Sequence, residues 1–139
     1  MATSELFKLT ARAAVALLKQ GEVSPRDLVE AALARIAATE SSIHALPTLA
    51  AERARTAAAR IDRTTALAGL PFAVKDLDNV AGVLTTYGSP IYARHVPERS
   101  DIMVERLEAA GGIVLAKSNT PEFGAGANTY NQIDRKSVG

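Results

Sequence analysis

The sequence predicts an α/β fold: N-terminal helices, followed by the start of a mixed or parallel sheet with flanking helices. Three observations carry that expectation. Apolar residues make up 47% of the chain but aromatics only 4%, so alanine, leucine and valine supply the core, which suits helices and α/β layers better than a β-sandwich. The first 65 residues carry helical spacing. Two short apolar runs, Leu70–Lys75 and Ile113–Ala116, are separated by a helical pattern. That order is a βαβ-like crossover, which makes the two strands parallel neighbours.

The elements follow in turn. Thr10 caps a first helix whose apolar side is Ala13, Ala14, Leu17 and Leu18, and Gly21 ends it. Ser24-Pro25 restarts the pattern, with serine at the cap, proline at the first helical position and Asp27 in the first turn. Leu28, Ala32, Arg35/Ile36 and Thr39 form its stripe. A third helix is expected from about Leu49 to Ile61, with Arg53, Arg55, Arg60 and Arg63 on a solvated face. Gly69 punctuates the change to strand. Pro71 sits near the start of Leu70–Lys75, where a missing N–H is tolerated. A turn-rich passage runs through Gly82, Gly88 and Pro90. Ser100 or Asp101 caps the next helix, Val104 and Leu107 face inward, and Gly111-Gly112 stops it. The second strand also ends on a lysine, Lys117. There is no internal repeat and no low-complexity segment.

At 139 residues the chain is about one domain long. Its net charge of +1 is built from interspersed acids and bases, which offers no argument for nucleic acid or an anionic membrane surface as partner. Its apolar runs are too short to span a bilayer. The opening MATSELFKLTAR lacks the basic-then-apolar layout of a secretory signal. With no cysteine there is no disulfide framework, thiolate nucleophile or cysteine metal site. The expectation is a cytoplasmic enzyme or subunit.

Lys75 is the first chemical candidate. It ends an apolar strand, where α/β proteins keep their chemistry, and Phe72, Val74 and Leu77 suggest apolar surroundings. A buried amine sheds its proton more readily because desolvation disfavours the ammonium. Holding a lysine half-neutral at pH 7 against a reference pKa of about 10.4 costs about 4.6 kcal/mol, which a protein tolerates for a general base or a Schiff base. Asp76 and Asp78 could pair on a metal, although the turn after Lys75 favours backbone capping. His44 and His95 lie far apart in loop-like contexts. Ser100, His95 and Asp101 offer a Ser-His-Asp set on paper only, because triads are made by fold geometry. Gly124-Ala125-Gly126 is a lone GxG without a helix fingerprint. Gly88-Ser89-Pro90 reads as a turn that could aim N–H groups at a ligand. Lys117-Ser118-Asn119 forms a second polar cluster, whose plainer reading pairs Lys117 with Asp101 or Glu122.

Residues 67–131 closely resemble the amidase signature family. The matching pieces are Leu67 through Asp76 (LAGLPFAVKD), Gly82 with Thr85 through Ser89 (TTYGS), Asp101 through Leu107, Ala110-Gly111, and Lys117 through Phe123 (KSNTPEF). The Gly-Glu-Val-Ser-Pro turn at 21–25 also looks like the family's first helices. The resemblance implies a mixed sheet between helical layers and a Ser–cis-Ser–Lys triad without metal or cofactor. Lys75 matches the family's lysine, and Gly124 falls on its substrate-pocket wall. In that mechanism a neutral lysine takes a proton from a bridging serine, which deprotonates a nucleophilic serine. The nucleophile attacks an amide carbonyl, and an acyl-enzyme forms and is hydrolysed.

The resemblance also shows a departure. The family places both serines in a Gly/Ser-rich run downstream of Asn131, and this sequence contains no such run. Residues 1–132 are therefore expected to be the N-terminal part of an amidase signature domain, an incomplete α/β/α sandwich. Residues 133–139 are expected to be a non-family tail, by frameshift, fusion or assembly artefact, so Ser137 is not read as the nucleophile. The intact enzyme would hydrolyse a small-molecule carboxamide, with no nucleic-acid or membrane partner. This piece, lacking both serines, is expected to be inactive. A glutaminase-type subunit of a tRNA-dependent amidotransferase is a related reading. A non-catalytic module pairing through an incomplete sheet edge is a rival of another class, and a Schiff-base lysine enzyme is a more distant one.

Overall fold

The structure is a computed structural model, and it describes residues 3–137. A 3-10 helix, Thr3–Lys8, leads into α1 (Ala11–Gln20) and α2 (Pro25–Ile43). The Thr10 hydroxyl accepts the Ala13 N–H at 3.2 Å, and Gly21 closes α1 in the left-handed conformation. α2 opens on a reciprocal capping box. The Asp27 N–H donates to Ser24 Oγ at 3.1 Å, and the Ser24 N–H donates to Asp27 Oδ2 at 2.9 Å. Two orphan donors of the first turn are thereby satisfied. α2 runs past Thr39 to Ile43, ending on His44, which takes a left-handed cap.

A strand that the apolar pattern does not reveal, β1 (Thr48–Leu49), precedes α3 (Ala51–Ala58). The third helix is therefore shorter than the alanine-rich stretch suggests. Two of its arginines are tied rather than free: Arg53 forks onto Glu108, and Arg55 bridges Glu30 and Glu52. Gly69 follows, with φ +100 and a position where a Cβ would stand 2.6 Å from the Pro25 ring. Only glycine lets the chain pass the start of α2 and turn into strand there.

β2 (Pro71–Lys75), α4 (Ile102–Ala109) and β3 (Ile113–Ser118) form the expected crossover. β2 and β3 are parallel, with Val74 opposite Lys117 and Lys75 opposite Ser118. β1 joins β3 antiparallel, so the sheet is mixed, in the order β1-β3-β2. β3 is buried almost throughout, as its near-continuous apolar run requires at the centre of a sheet. Asp101 stands at the N-cap position of α4 but makes no side-chain cap bond. Both cap candidates instead hold the loop that follows β2: Asp101 Oδ2 accepts the Asn79 N–H and Ser100 Oγ accepts the Ala81 N–H.

Two apolar clusters cover the helical side. Leu6, Leu18 and Leu28 pack with Ala68, while Val29, Ile36, Ala54, Ile113 and Leu115 join α2 and α3 to the sheet. A third cluster, Val74, Val80, Val104 and Val114, fixes α4 and the loop after β2. Each fully buried valine or leucine contributes about 1.5–3 kcal/mol. Beyond β3, β4 (Tyr130–Asn131) and β5 (Arg135–Lys136) form a hairpin. The segment read from the sequence as a foreign tail is docked as far as Ser137, whose hydroxyl donates to the Ile43 carbonyl and whose N–H donates to the Thr129 carbonyl.

Candidate active site

Parallel pairing brings the C-terminal ends of β2 and β3 side by side, so the two strand-terminal lysines become neighbours in space. Strand alternation then separates them. Val74 and Asp76 turn to the buried face, whereas Ala73 and Lys75 turn to the exposed face.

The buried lysine is Lys117, with no exposed surface, and Asp76 is 3% exposed. Lys117 Nζ lies 3.0 Å from Asp76 Oδ1, and it donates to the Asp78 carbonyl at 2.6 Å and to Thr85 Oγ1 at 2.9 Å. Three donors meet three acceptors, the full complement of an ammonium. The Asp76 carboxylate also accepts the Thr86 N–H, at 3.0 Å to Oδ2, and the Thr86 hydroxyl at 2.7 Å. Burial pushes the Lys117 ammonium below its ordinary value, opposed by its hydrogen bond and attraction to Asp76. The expected pairing of Lys117 with Asp101 or Glu122 is corrected: its partner is Asp76.

Lys75 is exposed, so the expectation of an amine enclosed by Phe72, Val74 and Leu77 is also corrected. The physical reason is the same alternation. Val74 faces the core beneath α4, and Leu77 lies under Gly124. Lys75 takes no part in the Lys117 network, and its carbonyl accepts the Asp78 N–H to close the turn after β2. Gly124, in the 3-10 turn Glu122–Gly124, comes to this same turn. It has φ +72, and a Cβ there would stand 2.8 Å from Leu77 Cδ1, two residues past Lys75.

The other candidates disperse. The Asp76 carboxylate is committed to Lys117 and Thr86, and Asp78 contributes its backbone carbonyl. Ser100 and Asp101 hold backbone N–H groups, and the His95 ring stacks on Tyr87, so the three do not form a Ser-His-Asp set. Ser89 is fully buried, with its hydroxyl unpartnered among the described residues.

Sequence reasoning missed one feature. Tyr87, Tyr92, His95 and Phe123 converge with Asn79 on an open cleft of about 440 Å³. Tyr87 and Phe123 both hold left-handed backbone, φ 53 and 51, and are joined by the Phe123 N–H donating to the Tyr87 carbonyl at 2.7 Å. The Tyr87 hydroxyl donates to Asn79 Oδ1 at 2.6 Å, and burial pushes its phenol up. In a chain with only three tyrosines and three phenylalanines, three at one place is a concentration that linear spacing does not display.

The small mixed sheet with its flanking helices agrees with what sequence comparison shows. The amidase family model matches residues 27–135, and the chain belongs to that family. Among curated relatives, the A subunit of glutamyl-tRNA(Gln) amidotransferase from Anaeromyxobacter dehalogenans (strain 2CP-C) is 42% identical over 134 residues, which cover 91% of this chain and 27% of that protein. The chain thus spans about a quarter of the length of the relative it matches. Among solved structures, one from a vestigial protein complex bearing on the origins of an s-triazine catabolic enzyme superposes with TM-score 0.86 at 36% identity, covering 91% of this chain and 30% of that one. A 6-aminohexanoate cyclic dimer hydrolase superposes with TM-score 0.85 at 26% identity, covering 93% and 27%. The α/β architecture is therefore that of amidase signature enzymes.

Proposed function

We propose that this chain is the lysine-bearing part of a longer, cytoplasmic amide hydrolase that works through a Ser–cis-Ser–Lys triad, with Lys75 as the base. The observation that carries the reading is the placement of Lys75: at the end of a parallel strand, on its exposed face, outside the ion pair that absorbs its neighbour Asp76. A base must be able to give up and regain a proton, and a lysine locked to a carboxylate is poorly suited to that. Lys75 takes the proton of the bridging serine, which activates the nucleophilic serine against a small carboxamide. Gly124 forms part of the wall of the substrate pocket. Both serines belong to sequence beyond residues 1–132, so the 139-residue chain alone is inactive.

A second reading within the family, a glutamine-hydrolysing component of an amidotransferase, is favoured by the 42% identity to the glutamyl-tRNA(Gln) amidotransferase relative. The test compares the 139-residue chain with the full-length polypeptide, offering each a panel of small carboxamides and glutamine. Turnover by the full-length protein that disappears with Lys75→Ala supports the reading. Turnover by the short chain, or by full-length Lys75→Ala, overturns it. Preference for glutamine over the other amides selects the amidotransferase role.

A further inference from the structure

Two acidic residues follow Lys75 within three positions, and a carboxylate beside a general base would hold its proton in place. Asp76 is the nearer in sequence. Its charge does not reach Lys75 as an isolated negative charge, because strand alternation turns it inward and β3 supplies a buried cation for it. Lys117 does a second thing with the same ammonium: by taking the Asp78 carbonyl at 2.6 Å it grips the turn on the far side of Lys75. The Asp76 N–H, donating to the Ser118 carbonyl at 3.0 Å, fixes the near side.

Resting on the reading of Lys75 as the base, we infer that Asp76 and Lys117 are positioning residues for it, a buried charge-balanced clamp that holds the end of β2 while keeping the Asp76 carboxylate from pairing with the Lys75 amine. A packed hydrophobic pair could hold the strand end at similar or better stability. What an ion pair adds here is neutrality around an acidic residue adjacent to the base. The charged groups gathered on the pair are Asp78 on the same turn, Asp101 ahead of α4, and Asp134 in the hairpin, which feels Asp76. All three are acidic, so losing Lys117 removes the buried cation that offsets Asp76 among them.

The experiment is competitive acetylation of the 139-residue chain with acetic anhydride at pH 8. Mass spectrometry reads labelling at Lys75 against the exposed Lys19 and Lys136. Only the free amine reacts, so an unpaired carboxylate nearby slows labelling. The inference expects Lys117→Met to slow Lys75 about threefold, and Asp76→Asn combined with Lys117→Met to restore the original rate. An unchanged rate in Lys117→Met, or a double variant as slow as the single one, overturns it. If Lys117→Met does not fold, two gentler variants decide. Asp78→Asn removes a carboxylate that Lys117 does not bond directly and should speed Lys75 about twofold, while the double variant leaves the rate unchanged. No effect of Asp78→Asn, or a change in the double variant as large as that of Asp78→Asn, contradicts the clamp. Labelling does not depend on hydrolysis, so this result stands apart from whether full-length Lys75→Ala loses turnover.

Discussion

Lys117 Nζ and Asp76 Oδ1 meet at 3.0 Å with essentially no exposed surface on either side chain. Removing one partner of such a pair leaves the other charge buried and uncompensated, whereas removing both does not. Lys117→Met is therefore expected to destabilise the chain by about 3–5 kcal/mol. The double variant Asp76→Asn/Lys117→Met should lose markedly less. Urea unfolding of the wild-type chain, the two single variants and the double variant completes the cycle; equal losses in the single and double variants would contradict the pairing.

The capping box of α2 makes a prediction about acid. Hydrogen bonds from the Ser24 side chain and backbone hold the Asp27 carboxyl below its ordinary 3.8. Because its folded value is depressed, Asp27 contributes stability that is full above about 3.8 and lost as pH falls through the lower folded value. Ser24→Ala removes the cap and should cost about 1 kcal/mol at neutral pH. The gap between variant and wild type should narrow in thermal melts taken below about pH 3.

Asp134 should behave in the opposite sense. Burial raises its carboxyl above the ordinary 3.8, opposed by a hydrogen bond from Asn131. The folded state then binds the proton more tightly than the unfolded one, so stability from this group declines as pH rises through the raised value. Asp134→Asn keeps an acceptor for the Asn131 amide and removes the buried charge. It should leave the chain as stable at pH 7, or more so, and flatten that acid-side dependence in the same melts.

Gly124 and Leu77 test how closely the 3-10 turn packs on the turn after β2. An alanine at 124 meets both a left-handed backbone and the Leu77 methyl at 2.8 Å, so Gly124→Ala should cost about 1–2 kcal/mol. Leu77→Ala relieves the contact but not the backbone strain. The double variant should therefore recover part of the loss, a coupling that denaturant titration can read.

Much of this architecture was legible because it rests on local chemistry. Thr10, Ser24-Pro25-Asp27 and Gly21 announce their caps by residue type, and the apolar runs at 70–75 and 113–116 announce parallel strands. β1 escaped because two residues carry no period. The site was legible only in part. Lys75 stood out by its place at a strand end, but a short apolar run does not say which residues face inward. The burial expected of Lys75 therefore belongs to Lys117, whose partner, Asp76, is 41 positions away in the chain. The aromatic cleft joins Asn79 and Phe123 across most of the α4–β3 crossover, a proximity that only the fold creates. The hairpin that docks residues 130–137 depends on Asn131, whose side chain ties Asn119, Thr120 and Asp134 together.

The most direct measurement is amide hydrolysis by the full-length polypeptide with and without Lys75→Ala, alongside thermal melts of the 139-residue chain with and without the same substitution. In the 139-residue chain Lys75 is exposed and outside the buried network, so the substitution should change that chain's stability by no more than about 0.5 kcal/mol. Loss of turnover with an unchanged melt is the predicted result. Turnover that survives Lys75→Ala in a folded protein would contradict the account.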